Sequence, residues 1–224
     1  MGNEINATKA RNYDPVASHY ELLAHIYSFG KIKESKQSQI SEIVPNDKVL
    51  YAGVGAGEDA ISAAKLNTQI TCIDLSSKML ENAKNSFKEH GLENGEFICS
   101  DIMEHDRFNY YEVVTSNFFL NIFTEPVMKV ILEHLTKLLK SNGKLLIADF
   151  AIPRGNFIYR LFQKIHHGAA NTSYWMQGLA PFHSVYDYPK HFPQAGLQLV
   201  NTNYFRLFKY GPVAYQSITS KKTC

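Results

Sequence analysis

Residues 48–74 decide the fold: KVLYAG (48–53), VGAG (54–57), EDAISAAKL (58–66) and QITCID (69–74). The first and last pieces are apolar runs of strand length. EDAISAAKL has helical composition, and three closely spaced glycines let the backbone turn sharply between strand and helix. Working outward, the alternation continues. SSKMLENAKNSFKEHG (76–91) is a helix closed by Gly91, GEFICS (95–100) and YEVVTSN (111–117) are strands, PVMKVILEHLTKLLKSNG (126–143) is a helix closed by Gly143, and KLLIADF (144–150) is a strand. GLQLVNTNYF (196–205) and LFKYGPVAYQSI (207–218) follow closely enough to form an antiparallel hairpin. Strand-length apolar runs alternating with helices specify an α/β fold with a doubly wound, mostly parallel seven-stranded sheet.

Two amphipathic helices, Val16–Phe29 before Gly30 and Ile32–Val44 before Pro45, precede this core. Residues 152–190, rich in proline, histidine and aromatics with one helix over Phe157–His166, interrupt the strand order. The chain thus divides into a helical cap (1–45), a core (46–151), a lid insertion (152–190) and a C-terminal hairpin (191–224), within one domain. At ~150 residues per domain, 224 residues with 45% apolar and 20% charged side chains are a globular composition. A net charge of +2 without a basic cluster argues against nucleic acid as partner. Three cysteines are no disulfide framework, and no run reaches the ~20 apolar residues of a bilayer span. A cytoplasmic protein is expected, meeting a membrane only transiently and only if its substrate is lipophilic.

The dinucleotide fingerprint GxGxxG needs a third glycine at position 58; Glu58 stands there instead and would repel a pyrophosphate. The next strand ends at Asp74, whose carboxylate can accept both hydroxyls of a ribose, and Ser76 is available to cap the following helix. The third strand ends in Asp101 and Ile102; Asp101 can accept a hydrogen bond from an exocyclic amine, and Leu75, Met79 and Ile102 offer apolar faces to a flat ring. Three consecutive strand ends carrying a glycine loop, an aspartate and an aspartate describe an adenosine site.

VLYAGVGAGED (49–59), CIDLSSKMLENAK (72–84), ICSDIM (98–103) and LLKSNGKLLIADF (138–150) resemble the successive motifs of class I S-adenosylmethionine-dependent methyltransferases. YDPVASHYELLAHIYSFG (13–30), AGLQLVNTNYF (195–205) and GPVAYQSI (211–218) further resemble the opening and closing hairpin of the ubiquinone/menaquinone biosynthesis C-methyltransferases. The resemblance implies S-adenosylmethionine as cofactor and S-adenosylhomocysteine as product, with Gly53, Gly55 and Gly57 against the methionine part. It implies Asp74 at the ribose, Asp101 and Ile102 at the adenine, and Asn117 near the transferred methyl. Two positions depart from the family pattern. Tyr51 replaces an acid two residues before the first glycine, and Leu120-Asn121 replaces an Arg-Asn pair after the fourth strand.

Methyl transfer requires alignment and exclusion of water more than covalent help from the protein. The lid and the N-terminal helices are expected to roof an apolar chamber for a small aromatic or apolar acceptor. Tyr20, Phe118, Asn121, Tyr174 and Trp175 are the expected substrate contacts, and His183 with Tyr20 the expected catalytic groups; His19, His25, His166 and His167 lie in the same segments. No metal site is expected, since His166, His167 and His183 lack an accompanying Cys or acid at standard spacing. A cofactor-binding protein of the same fold without methyl transfer is the alternative reading, motivated by Tyr51.

Overall fold

The structure is a computed structural model describing residues 25–55, 57–176 and 181–223. Its centre is a seven-stranded sheet of β1 (Lys48–Ala52), β2 (Gln69–Asp74), β3 (Gly95–Cys99), β4 (Tyr111–Thr115), β5 (Leu139–Phe150), β6 (Leu197–Arg206) and β7 (Val213–Lys222). They lie in the order β3-β2-β1-β4-β5-β7-β6. The first five are mutually parallel, and β7 runs antiparallel to both β5 and β6. The expected mixed sheet and its closing hairpin are therefore present.

Strand alternation explains the double winding. In β1, Val49 and Tyr51 join a cluster with Ala60, Ala64, Leu80 and Phe87, from α2 (Glu58–Ala64) and α3 (Ser77–Glu89). The intervening Leu50 and Ala52 join a second cluster with Met128, Ile131 and Leu135 of α4 (Glu125–Leu138) on the other face. Successive side chains on a strand point to opposite faces, so a continuous apolar run buries itself on both sides. Among the other helices are α1 (Lys31–Gln37), α5 (Phe157–Met176) and α6 (Tyr188–His191).

Three element boundaries differ from the sequence reading. The helix expected to run to Gly143 stops at Leu138; Leu139 is extended at φ −69°, ψ 140° and pairs with Tyr111. Asn142, not Gly143, takes the left-handed conformation there, at φ 65°. The lid helix continues ten residues past His166 to Met176, because Gln163 and Asn171 anchor its inner face: their side chains donate to the carbonyls of Val213 and His183. Ile32–Val44 is not one helix but α1 followed by a 3-10 segment, Ser38–Glu42. The Val16–Phe29 helix falls mostly outside the described residues; its end is a helical turn over 25–28, closed where the Gly30 amide donates to the His25 carbonyl at 3.0 Å.

Candidate active site

The carboxyl ends of β1, β2 and β3 lie side by side, and the backbone joins them. Gly53 N donates to Ile73 O at 2.9 Å, and Ser100 N donates to Asp74 O at 3.2 Å. The glycine loop therefore sits directly against Asp74: its Oδ2 accepts from Gly55 N at 3.3 Å and its Oδ1 from Ser76 N at 2.9 Å. Ser76 in turn caps α3, its Oγ accepting from Met79 N at 3.1 Å. On the neighbouring tip, Asp101 caps the short turn Ile102–Glu104, with Oδ1 accepting from Met103 N at 2.9 Å. Ile102 and Met79 are buried, while Leu75 is exposed.

The glycines differ in what they accommodate. A Cβ on Gly55 would meet nothing within 4 Å, so the loop has room at that position. Gly53, at φ +71°, carries the opposite constraint: a Cβ there would lie 2.4 Å from the Phe119 ring.

Tyr51, in place of the usual acid, is fully buried, and its hydroxyl donates to the Asp59 carbonyl at 3.2 Å. Burial and the Asp59 charge hold this phenol well above its ordinary pKa, so it stays neutral. The acid beneath the loop is instead Asp59, on the first turn of α2. Its Oδ2 accepts from Asn117 Nδ2 at 2.8 Å, and its Oδ1 has the Lys36 ammonium at 3.8 Å. Asn117 Oδ1 accepts from Ala148 N at 2.9 Å. Both ends of that amide are engaged inside the protein, bracing the tips of β4 and β5 against α2. Glu58 is exposed and pairs with Lys33 at 3.1 Å.

Beyond β4 and β5 the site changes character. Phe118, held at φ 52°, packs edge-on against Phe150 and Tyr215, with ring centroids 5.9 Å apart in both cases. His166 and His167 of α5 close over this cluster. His166 stacks on Tyr27 at 4.4 Å and lies 3.0 Å from the Tyr215 hydroxyl, while the His167 ring stands edge-on to Phe150 at 5.0 Å. Burial pushes both histidines down to about 4, so each is a neutral imidazole near pH 7.

Asn121 and His183 meet. His183 Nε2 lies 2.5 Å from the Asn121 carbonyl, its Nδ1 2.7 Å from the Ser184 carbonyl, and its ring stacks on Tyr186 at 4.5 Å. Both ring nitrogens thus face backbone carbonyl oxygens, which fixes the ring's orientation beside Tyr186. Asn121 Nδ2 donates to Asp149 Oδ1 at 2.8 Å, and the Tyr188 hydroxyl donates to Asp149 Oδ2. Asp149, at the carboxyl end of β5, is 2% exposed, and burial pushes its carboxyl up to about 7. The sequence reading missed Asp149, though an acid at a strand tip is the same signal that singled out Asp74 and Asp101. It also missed Asp59, Phe119 and Tyr188. Trp175 is exposed on α5. Tyr20 and the side chain of Tyr174 lie outside the described residues. Among the described residues, no group of three or more His, Cys, Asp or Glu is arranged to hold a metal.

Residues 43–196 match the Methyltransferase domain family. The demethylmenaquinone methyltransferase of Thermotoga maritima is 32% identical over 161 residues, covering 68% of this chain and 66% of that protein. The ubiquinone/menaquinone biosynthesis C-methyltransferase of Blochmanniella pennsylvanica is 29% identical, covering 67% and 61%. The chain thus spans just under two thirds of the length of these curated relatives. In three dimensions it resembles the Burkholderia thailandensis 1,6-didemethyltoxoflavin-N1-methyltransferase, solved with its substrate and S-adenosylhomocysteine, at a TM-score of 0.66 and 15% identity over 94% of this chain and 89% of that one. That likeness speaks to the fold, and it agrees with the strand order described above. With the family match covering 154 of 224 residues, the chain belongs to the class I S-adenosylmethionine-dependent methyltransferases.

Proposed function

We propose that the protein transfers a methyl group from S-adenosylmethionine to a carbon of an aromatic quinone precursor. The observation that carries the cofactor half is the junction of the glycine loop with Asp74, whose Oδ2 lies 3.3 Å from Gly55 N, at a glycine with room for a further atom. In this reading Asp74 receives the ribose hydroxyls, and Asp101, Ile102, Met79 and Leu75 border the adenine. Gly53, Gly55 and Gly57 give the methionine chain a backbone surface to lie on, and the Asp59–Asn117 pair fixes that surface relative to β4. When bound, the cofactor supplies a methyl group activated on a sulfonium. The chain's own task is to orient the acceptor and keep water out.

The acceptor half rests on the aromatic cluster. Phe118, Phe150 and Tyr215 offer flat apolar walls, and aromatic faces are favourable neighbours for a sulfonium. The names of both curated relatives support a quinone-type ring as the acceptor. His167 is the group assigned to take the proton that the acceptor loses: its ring stands edge-on to Phe150 in the aromatic cluster, and among the described residues its nitrogens make no hydrogen bond. His183 and Asn121 act as positioning residues, locked to one another and to Asp149. Tyr20 is retained as a substrate contact brought by the N-terminal segment.

Calorimetry with S-adenosylhomocysteine, and transfer of a labelled methyl to a demethylated naphthoquinol, test the two halves separately. Absence of homocysteine-product binding removes the whole reading. Binding without label transfer to any aromatic acceptor removes the second half and favours a binding protein of the same fold.

A further inference from the structure

We propose that the outward face of α5, together with the β6–β7 turn beside it, seats on an anionic lipid surface. Phe157, Ile158, Leu161, Phe162 and Ile165 are all between 42% and 72% exposed. At ~100° per residue they fall in a single arc of roughly 140° on the side of the helix opposite Gln163, which is buried. A helix that faces only water has no reason to keep such a stripe, since each large apolar side chain left in solvent forfeits ~1.5–3 kcal/mol of burial. The turn extends the stripe: the Tyr159 hydroxyl donates to the Tyr210 carbonyl at 2.9 Å, and Phe208 and Tyr210 are both exposed.

Charge decides what covers this face. Beyond Asp149 the chain carries eight Lys and Arg against a single acid, Asp187, which is paired with Lys190 at 3.0 Å. Up to and including Asp149 the balance is reversed, with twenty acids against fifteen bases. Arg154, Arg160, Lys164 and Lys209 are exposed around the stripe, and among the described residues none of them is in an ion pair. An apolar stripe with aromatic members, bordered by unneutralised cations and free of acids, is the pattern that lies in a membrane interface and favours anionic headgroups. A second copy of the chain fits less well, because a two-fold contact on this face would bring cations against cations. Among the described residues no helix, α5 included, is long and apolar enough to cross a bilayer. The inference does not depend on the identity of the acceptor.

The full chain is mixed with phosphatidylcholine vesicles, with and without about one-third phosphatidylglycerol, and bound protein is separated by flotation. Binding to the anionic vesicles is expected, falling as salt is raised. The double variant Ile158→Glu/Ile165→Glu is expected to bind at least tenfold more weakly while its affinity for S-adenosylhomocysteine and its circular dichroism are unchanged. Arg160→Gln/Lys164→Gln removes two interfacial cations and is expected to cost roughly thirtyfold on anionic vesicles and little on neutral ones. The proposal is overturned if the full chain ignores anionic vesicles, or if Ile158→Glu/Ile165→Glu binds them as the parent does. A dimer that this double variant splits, with no vesicle binding by the parent, would likewise overturn it and assign the face to a second copy.

Discussion

Substituting Asp149→Asn should remove a pH dependence of stability that burial builds into the wild type. The carboxyl sits at about 7 in the folded chain against an ordinary 3.8, burial being the largest cause. Between those values the folded state holds a proton that the unfolded state has released, so stability falls as pH rises from 3.8 to 7 and then levels off. Each unit costs about 1.4 kcal/mol, so the wild type should lose about 3 kcal/mol from this group between pH 5 and pH 8. Asn stays neutral throughout, and its carbonyl can keep accepting from Phe150 N, which lies 2.7 Å from Asp149 Oδ1. His166 and His167 work in the other direction: their folded pKa of about 4 against 6.5 means stability gained as pH rises from 4 to 6.5. Both histidines are present in both proteins, so they cancel in the comparison. Urea unfolding followed by circular dichroism at pH 5, 6, 7 and 8 gives the difference directly. The variant should gain about 3 kcal/mol on the wild type across that range. A difference that stays constant within about 0.5 kcal/mol would refute the reasoning, and with it the sealed Asp149–Asn121–Tyr188 network.

Three further outcomes are expected. Asp74→Ala should weaken S-adenosylhomocysteine binding by roughly tenfold to a hundredfold in calorimetry, since a desolvated diol and the Gly55 amide both lose their acceptor. Gly53→Ala should lower the midpoint of urea unfolding by an amount worth about 2 kcal/mol or more, because a Cβ at φ +71° would meet the Phe119 ring; Phe119→Ala in the same chain should recover part of the loss. His167→Gln should abolish labelled-methyl transfer while leaving the calorimetric affinity for the product unchanged, and an enzyme that retained its rate would assign the proton to another group.

The placement of the strand tips was legible because its information is local. Asp74 and Asp101 each close an apolar run, and parallel strands joined by right-handed crossovers bring consecutive carboxyl ends to one edge. Knowing where a strand ends is then nearly the same as knowing what it presents. Gly143 shows the limit of such reading: a glycine after a helical stretch looks like a stop signal, but pairing of Leu139 with Tyr111 ends the helix at Leu138, five residues earlier. Tertiary pairing there outweighs a local preference of a few tenths of a kcal/mol.

The aromatic cluster is a different kind of object. Phe118, Phe150, His167 and Tyr215 are separated by up to 97 positions and converge only because β7 inserts antiparallel beside β5 while α5 folds back over both strands. No spacing in the chain records that convergence. The contrast among the histidines likewise rests on partners invisible in sequence: His183 faces two carbonyls, whereas His167 stands edge-on to Phe150 and, among the described residues, makes no hydrogen bond. Asp149 marks the boundary between the two cases. Its position at a strand tip is readable, but its neutrality at mildly acidic pH is not, because that property arises from being enclosed by Asn121, Tyr188 and the core around them. Composition can say that a carboxylate stands at the edge of the sheet; only the packing says whether it meets a ligand as an anion or braces the site as an acid.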